Sequence, residues 1–258
     1  MGTLDWQSDN LVVLAGPVVA ETGLPPSETP DGGVSAKLYD TSLDCRLSEY
    51  TSDLAIDYVD PETSVFVLDS GAFSASGVVL IRLDDGTWVE QTLNLRSVAT
   101  GELGWAGPLG LPGPASKGNP VRVKTYASVT ETIGIDDFSQ WDDGMNMEIK
   151  RDDGTYIERT VSAILPDAGY LTLDDDLDGD SSPGNIVKRK IGADVTMVAF
   201  GTFPTSDPTP GDPEWGFRGT IDHDHAELQP GMRIRAEITY EDGSVNIRRK
   251  VVGTVINR

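Results

Sequence analysis

The stretch DDGTWVEQTL at residues 84–93 is written again as DDGTYIERTV at residues 152–161. Aspartate, aspartate, glycine and threonine keep their order. Tryptophan becomes tyrosine, valine becomes isoleucine, and one glutamate and one threonine hold their places. The matches continue outward. Gly77-Val78-Val79-Leu80-Ile81-Arg82 precedes the first copy and Gly144-Met145-Asn146-Met147-Glu148-Ile149-Lys150 the second; KGNPVRVK at 117–124 and PGNIVKRK at 183–190 follow them. Gly86 and Gly154 are 154 − 86 = 68 apart, and Asn119 and Asn185 are 185 − 119 = 66 apart. Colinear matches with a two-residue drift indicate tandem duplication of a unit somewhat under roughly seventy residues.

Each unit reads as β-structure. Met145, Met147 and Ile149 alternate with Asn146, Glu148 and Lys150, the period of a strand with one buried face. Asp153-Gly154 then supplies the positive φ that a tight hairpin demands. The return strand places Ile157 and Val161 on one side and Tyr156, Glu158 and Thr160 on the other. A further strand is expected over 170–173 and another over 185–190, giving four or five short strands per unit. GMRIRAEITYEDGSVNIRRKV, from Gly231, carries Met232, Ile234, Ala236, Ile238 and Tyr240 on one face. It turns at Asp242-Gly243, either as a third unit or as a separate hairpin.

The expected fold is all-β: tandem small β-barrel or β-sandwich domains joined by Pro/Gly-rich loops. The divisions expected are 1–60 as an N-terminal β-domain or arm, 61–128 and 129–195 as the repeats, and 196–258 as a C-terminal β-domain with a proline-rich arm. Residues 11–19 and 34–40 read as strands and 54–59 as a closing strand. Residues 23–33 and 204–215 read as loops or arms that reach a neighbour, and one 3₁₀ turn is expected within 137–144.

Charge narrows the partners. With 42 Asp and Glu against 20 Lys and Arg, the net charge of −22 repels phosphates, so no nucleic-acid partner is expected. The start MGTLDWQSDN has no basic or apolar run, so no secretory signal is expected, and no apolar stretch reaches membrane-spanning length. Cys45, the single cysteine, forms no internal disulfide and is expected to be a small buried hydrophobe or a surface thiol.

Candidate chemistry is thin. His223 and His225 in IDHDHAEL, beside Asp222 and Asp224, could share a metal, but no third ligand is marked by spacing, and solvated polar residues at a strand end are the expected reading. Asp174, Asp176, Asp178 and Asp180 alternate around Gly179 in LDDDLDGDSSPGN as hard oxygen ligands for calcium would, yet the first copy's loop GPLGLPGPASKGN has no carboxylates. An acidic solvated loop is the expected reading. Carboxylate pairs for glycoside hydrolysis are too many for any to stand out. The basic run Arg248-Arg249-Lys250 reads as a solvated strand face or a contact with an acidic neighbour. Trp6, Trp88, Trp105, Trp141 and Trp215 are scattered, and read as plugs of small domains or interface anchors. No catalytic, cofactor-binding or metal residue is assigned, no cofactor is expected, and the chain is not expected to be an enzyme.

The unit also follows a wider pattern: Gly144, Met147, Ile149, Asp153-Gly154, Thr160-Val161, Leu171-Thr172-Leu173, Leu177, Gly184 and Val187. This resembles the small β-domains of structural virion proteins of tailed bacteriophages: head decoration proteins, head fibres, tail and baseplate components. The resemblance covers about half the chain and lies at the level of fold. It implies a non-enzymatic structural component, made in the host cytoplasm and assembled into the virion. A head decoration or cement role is favoured, with other capsid or tail subunits as partners and a homo-oligomeric state. A tail, baseplate or fibre component, or a carbohydrate-binding or adhesive surface module, is the alternative.

Overall fold

The computed structural model describes residues 2–5, 10–15, 33–59, 62–106, 110–204, 214–221, 228–229, 231–242 and 245–256. These residues form an all-β chain, with one 3₁₀ turn at Pro166–Ala168. Residues 137–144 form turns instead of the 3₁₀ turn expected there. Pro166 explains the relocation, because its fixed φ suits the first position of a helical turn. The chain divides into two compact units: residues 1–43 with 189–258, and residues 44–188.

In the unit built from the two chain ends, β1 (Gly2–Asp5), β2 (Asn10–Ala15), the first half of β3 (Val34–Arg46), β15 (Val195–Phe200), β16 (Gly216–Ile221), β17 (Arg233–Asp242) and β18 (Val245–Ile256) lie in the order β1-β18-β17-β3-β15-β16-β2. β17 and β18 form the expected hairpin, paired up to Asp242↔Val245. The alternation read from sequence holds: Met232, Ile234, Ala236 and Ile238 are all buried. They pack with Val34, Ala36, Leu38, Met197 and Phe217 in one cluster. Tucking those alternate side chains away from water supplies the driving force for the sheet.

The other unit holds both copies. The first contains β4 (Thr51–Asp53), β5 (Ser64–Phe66), β6 (Val78–Arg82), β7 (Trp88–Ser97), β8 (Glu102–Trp105) and β9 (Pro120–Thr125), in the order β4-β9-β6-β7-β8-β5. The second contains β10 (Thr132–Ile133), β11 (Asn146–Lys150), β12 (Tyr156–Leu165), β13 (Tyr170–Leu173) and β14 (Ile186–Lys190). Its order, β14-β11-β12-β13-β10, repeats β9-β6-β7-β8-β5 strand for strand. Even the irregularities recur: a register shift at Leu93/Leu95 in β7 returns at Val161/Ala163 in β12. Core positions correspond as well, with Ile81 and Ile149, Leu103 and Leu171, and Leu111 and Leu177 each fully buried.

Both copies close on themselves. In the first, Leu54 bridges Val67, Ala55 N donates to Phe66 O at 2.8 Å, and Leu68 N donates to Asp53 O at 2.9 Å, joining the outer strands β4 and β5. In the second, Leu47 bridges Ile135, Ser48 N donates to Gly134 O at 3.0 Å, and Asp136 N donates to Arg46 O at 3.0 Å. Each copy is therefore a small six-stranded barrel whose backbone leaves no open edge at this seam. The count exceeds the four or five strands expected because each barrel takes its first strand from residues 44–55. The equivalent leucines, Leu47 and Leu54, are only 54 − 47 = 7 residues apart, so the second barrel's first strand precedes the whole first barrel. The first barrel is an insertion between the second barrel's opening strand and its remainder.

The expected closing strand over 54–59 is shorter than read. β4 ends at Asp53, and Leu54 and Tyr58 contribute single bridges, Tyr58 to Ala115. The loop tip of residues 24–33 has only Gly33 among the described residues. The proline-rich arm has only Pro204, Glu214 and Trp215 there, so both arm readings lie outside them.

Candidate functional site

The twice-written Asp-Asp-Gly-Thr is where the two copies agree most closely, and each of its residues has a structural task. In the second copy Arg151 N donates to Thr155 O at 2.8 Å and Gly154 N to Arg151 O at 3.0 Å, which makes 152–154 a three-residue hairpin loop. Gly154 closes it at φ +87°, and Gly86 does so at the same angle. A side chain there would meet no neighbour, so glycine is required by backbone conformation alone. Asp153 Oδ1 accepts from Thr155 N at 2.8 Å and Thr155 Oγ1 at 2.6 Å, and Asp85 repeats this with Thr87 at 2.8 and 2.7 Å. This Asx turn fixes the loop from within.

The first aspartate of each pair reaches further. Asp84 accepts from Ser116 N at 2.7 Å, Ser116 Oγ at 2.9 Å and Asn119 Nδ2 at 2.8 Å. Asp152 accepts from Ser182 N at 2.9 Å, Ser182 Oγ at 2.8 Å and Asn185 Nδ2 at 2.7 Å. One carboxylate thus ties the hairpin tip to the loop before the last strand, which explains why Asn119 and Asn185 recur with it. These hydrogen bonds favour the ionised form and hold the Asp84, Asp85 and Asp153 carboxyls below the usual value of 3.8. A depressed folded-state pKa contributes stability that is present above the unfolded pKa and lost as pH falls through the folded one. The variant D153N is expected to melt below the parent at pH 7. The gap should shrink as the pH drops below 3.8, read by thermal unfolding across pH. A gap independent of pH would show that the charge has no part in the turn.

Two further pairs went unread. Tyr126 Oη accepts from Gly134 N and donates to Ser48 O, both at 2.9 Å, across the barrel seam. Tyr58 Oη likewise accepts from Phe66 N. Burial pushes the Tyr126 phenol up to about 12, so it stays a neutral donor. The signal was present as a second tyrosine pair at the repeat offset. On the barrel exterior, Arg122 lies over the Trp88 ring and Lys188 over the Tyr156 ring, each at 4.1 Å from the centroid. The tryptophan-to-tyrosine exchange in the repeated stretch therefore preserves a cation–π pair, partly exposed at Arg122 and largely buried at Lys188.

The candidates read from sequence fall into place as follows. Cys45 is buried; burial first, then the nearby Asp136 carboxylate, pushes its thiol up to about 12, far from a reactive thiolate. In the acidic loop, Asp174 Oδ1 accepts from Thr160 N at 2.8 Å and Asp180 Oδ1 from Ser128 N at 3.0 Å. The carbonyls of Asp176 and Asp178 accept from the Arg159 and Arg151 guanidinium groups. Among the described residues no three His, Cys, Asp or Glu side chains come together as a metal site. His223 and His225, with Asp222 and Asp224, lie outside the described residues, as does Trp6. Arg248, Arg249 and Lys250 lie on β18, opposite Thr239, Ile238 and Glu237 in register. Trp105, Trp141 and Trp215 are buried plugs, and Trp88 is 38% exposed. Among the described residues, no helix is long and apolar enough to cross a membrane.

Comparison of the chain with known protein families, with curated proteins and with solved structures finds no match.

Proposed function

We propose that this chain is a non-enzymatic structural component of a tailed phage-like virion, acting as a head decoration or cement protein that binds capsid subunits as a homo-oligomer. One observation carries the reading: the side chains that the duplication repeats are spent on holding loops and closing barrels. Asp84 and Asp152 clasp a distant loop, Asp85 and Asp153 fix a hairpin, and Tyr58 and Tyr126 span a seam. A duplicated unit kept for a reaction would repeat a reactive set. This one repeats a scaffold, which suits a part that works by contact. Closed barrels also suit assembly, since they join partners through chosen faces and present no barrel edge to stray strands.

The test is made on particles purified from the phage-like element that encodes the chain. Mass spectrometry should find it at a fixed ratio to the capsid subunit, and electron cryomicroscopy should show its two small barrels in symmetric positions on the head. Particles that lack the chain would overturn the proposal. Its appearance at the tail tip would replace the head role with the tail, baseplate or fibre reading.

A further inference from the structure

Because the chain writes one barrel twice, each copy is a control for the other: what the fold needs should recur, and what appears once needs another reason. Four Asp-Gly steps lie wholly among the described residues: 85–86, 143–144, 153–154 and 178–179. Such a step can react with itself, because glycine places no side chain between its nitrogen and the preceding carboxyl carbon. Three of the four are held. Gly86 N donates to Leu83 O at 3.0 Å, Gly144 N to Val161 O at 2.8 Å and Gly154 N to Arg151 O at 3.0 Å. Thr87 and Thr155 also occupy the Asp85 and Asp153 carboxylates.

The fourth step is set up differently. Among the described residues, the Gly179 N–H and the Asp178 carboxylate find no protein hydrogen-bond partner, and Asp178 is exposed. Asp178 is also the only non-glycine among them with a positive φ, +56°, a region that a Cβ disfavours. Arg151 Nη1 donates to Asp178 O at 2.6 Å. That oxygen belongs to the amide whose nitrogen is Gly179 N. A guanidinium on it stabilises the negative charge left when the nitrogen gives up its proton, which makes the nitrogen a better nucleophile. The arrangement appears once. In the first barrel Leu83 stands for Arg151 and Pro112-Gly113 for Asp178-Gly179, and a Cβ on Gly113 would meet Leu83 Cδ1 at 3.5 Å. Both loops reach their hairpins by the same bond, Asp84 N to Pro114 O at 3.0 Å and Asp152 N to Asp180 O at 2.9 Å. Proline fixes a negative φ, so the barrel needs neither Asp178 nor its conformation.

We infer that Asp178-Gly179 is a site of spontaneous backbone isomerisation, assisted by the Arg151 guanidinium. Gly179 N attacks Asp178 Cγ and a C–N bond forms. One carboxylate oxygen leaves as water, carrying the amide proton and one proton from solvent, and a five-membered imide remains. Water then adds to either imide carbonyl. Opening at Cγ returns aspartate; opening at the backbone carbonyl leaves the chain running through Cβ, as isoaspartate. The change falls in the loop that Asp178 N ties to Ser128 O at 2.7 Å and the Asp180 carboxylate to Ser128 N at 3.0 Å, so it marks the second barrel alone. This goes beyond the virion reading and stands whether or not the chain belongs to a particle.

The test incubates the full chain at 37 °C and pH 6, folded and in urea. Trypsin then places the four steps in separate peptides, 83–96, 125–150, 152–159 and 160–188, and electron-transfer fragmentation locates isoaspartate in each. In the folded chain isoaspartate should form at 178 at least about fivefold faster than at 85, 143 or 153, the order of free population that one backbone hydrogen bond withholds. In urea the four rates should converge. The variant D178E, which keeps the charge but lengthens the ring to be closed, should leave the 160–188 peptide unchanged. The variant R151Q should slow the reaction at 178 by at least about threefold in the folded chain and not in urea. Equal rates at the four steps of the folded chain, or a faster rate at 153, would overturn the inference. So would a folded R151Q that reacts at 178 as fast as the parent, because the guanidinium would then have no part.

Discussion

Replacing Leu47 by alanine is expected to loosen the second barrel before the first, although Leu47 lies just upstream of the first barrel in the chain. Leu47 is 2% exposed; it bridges Ile135, its N donates to Asn185 O at 2.9 Å, and its carbonyl accepts from Gly184 N at 2.7 Å. All three partners belong to the second copy. Leu54, fully buried, makes the matching contacts with Val67, Asn119 and Gly118 of the first. Truncating a buried leucine to alanine costs about 2–5 kcal/mol through lost transfer energy and the cavity left behind. The amides of Ile133, Ile149 and Val187 should therefore exchange faster in L47A, and those of Val65, Ile81 and Val121 in L54A. Native-state hydrogen exchange followed residue by residue reads the difference. If L47A instead releases the amides of the first barrel, the assignment of its strand to the second is wrong.

Much of the fold could be read in advance because it is local. The hairpin at 151–155 depends on residues within reach of one another, and an Asp-Gly pair announces its own backbone conformation. Strand alternation in β11 and β17 is equally direct: Met147, Ile149, Ile234 and Ile238 are buried as the period requires. Sequence reasoning missed the seams. Nothing local says that residues 44–47 belong with 132–136, since the pairing crosses the entire first barrel. Glu148 shows the same limit. Its place in the alternation marks it as outward and solvated, yet it is buried and paired with Lys188 at 3.2 Å. Such a pair carries little information in sequence, because either partner alone reads as surface. The turn carboxylates were legible as turn formers. Their longer grip on Ser116 and Ser182 was not, because a hydrogen bond to a loop some thirty residues away follows from the barrel and cannot precede it.

The insertion itself can be tested by removal. In the first barrel, Ala55 and Tyr58 are separated only by Ile56 and Asp57. The equivalent positions in the second are Ser48 and Tyr126, and the Tyr126 hydroxyl sits 2.9 Å from the Ser48 carbonyl. The second barrel thus holds the whole first barrel at the point where the first has only a two-residue turn. Excising residues 49–125 and joining Ser48 to Tyr126 through Ile-Asp is expected to give a chain that still folds, with every strand and seam bond of the second barrel in place. The excision removes Tyr50, whose ring lies edge-on to Tyr170 with centroids 5.8 Å apart, so Tyr170 loses cover and some stability goes with it. Against that loss, the short turn holds the barrel's ends together at little entropic cost. The ¹⁵N spectrum of the excised chain should overlay the parent's cross-peaks for residues 132–136, 146–165 and 170–188, apart from those around Tyr170. A spectrum of an unfolded chain would mean that the two barrels share one indivisible core. The continuous cluster of buried side chains through both makes that the competing outcome. Separate closure of each barrel, by its own leucine and its own tyrosine, is the reason to expect survival instead.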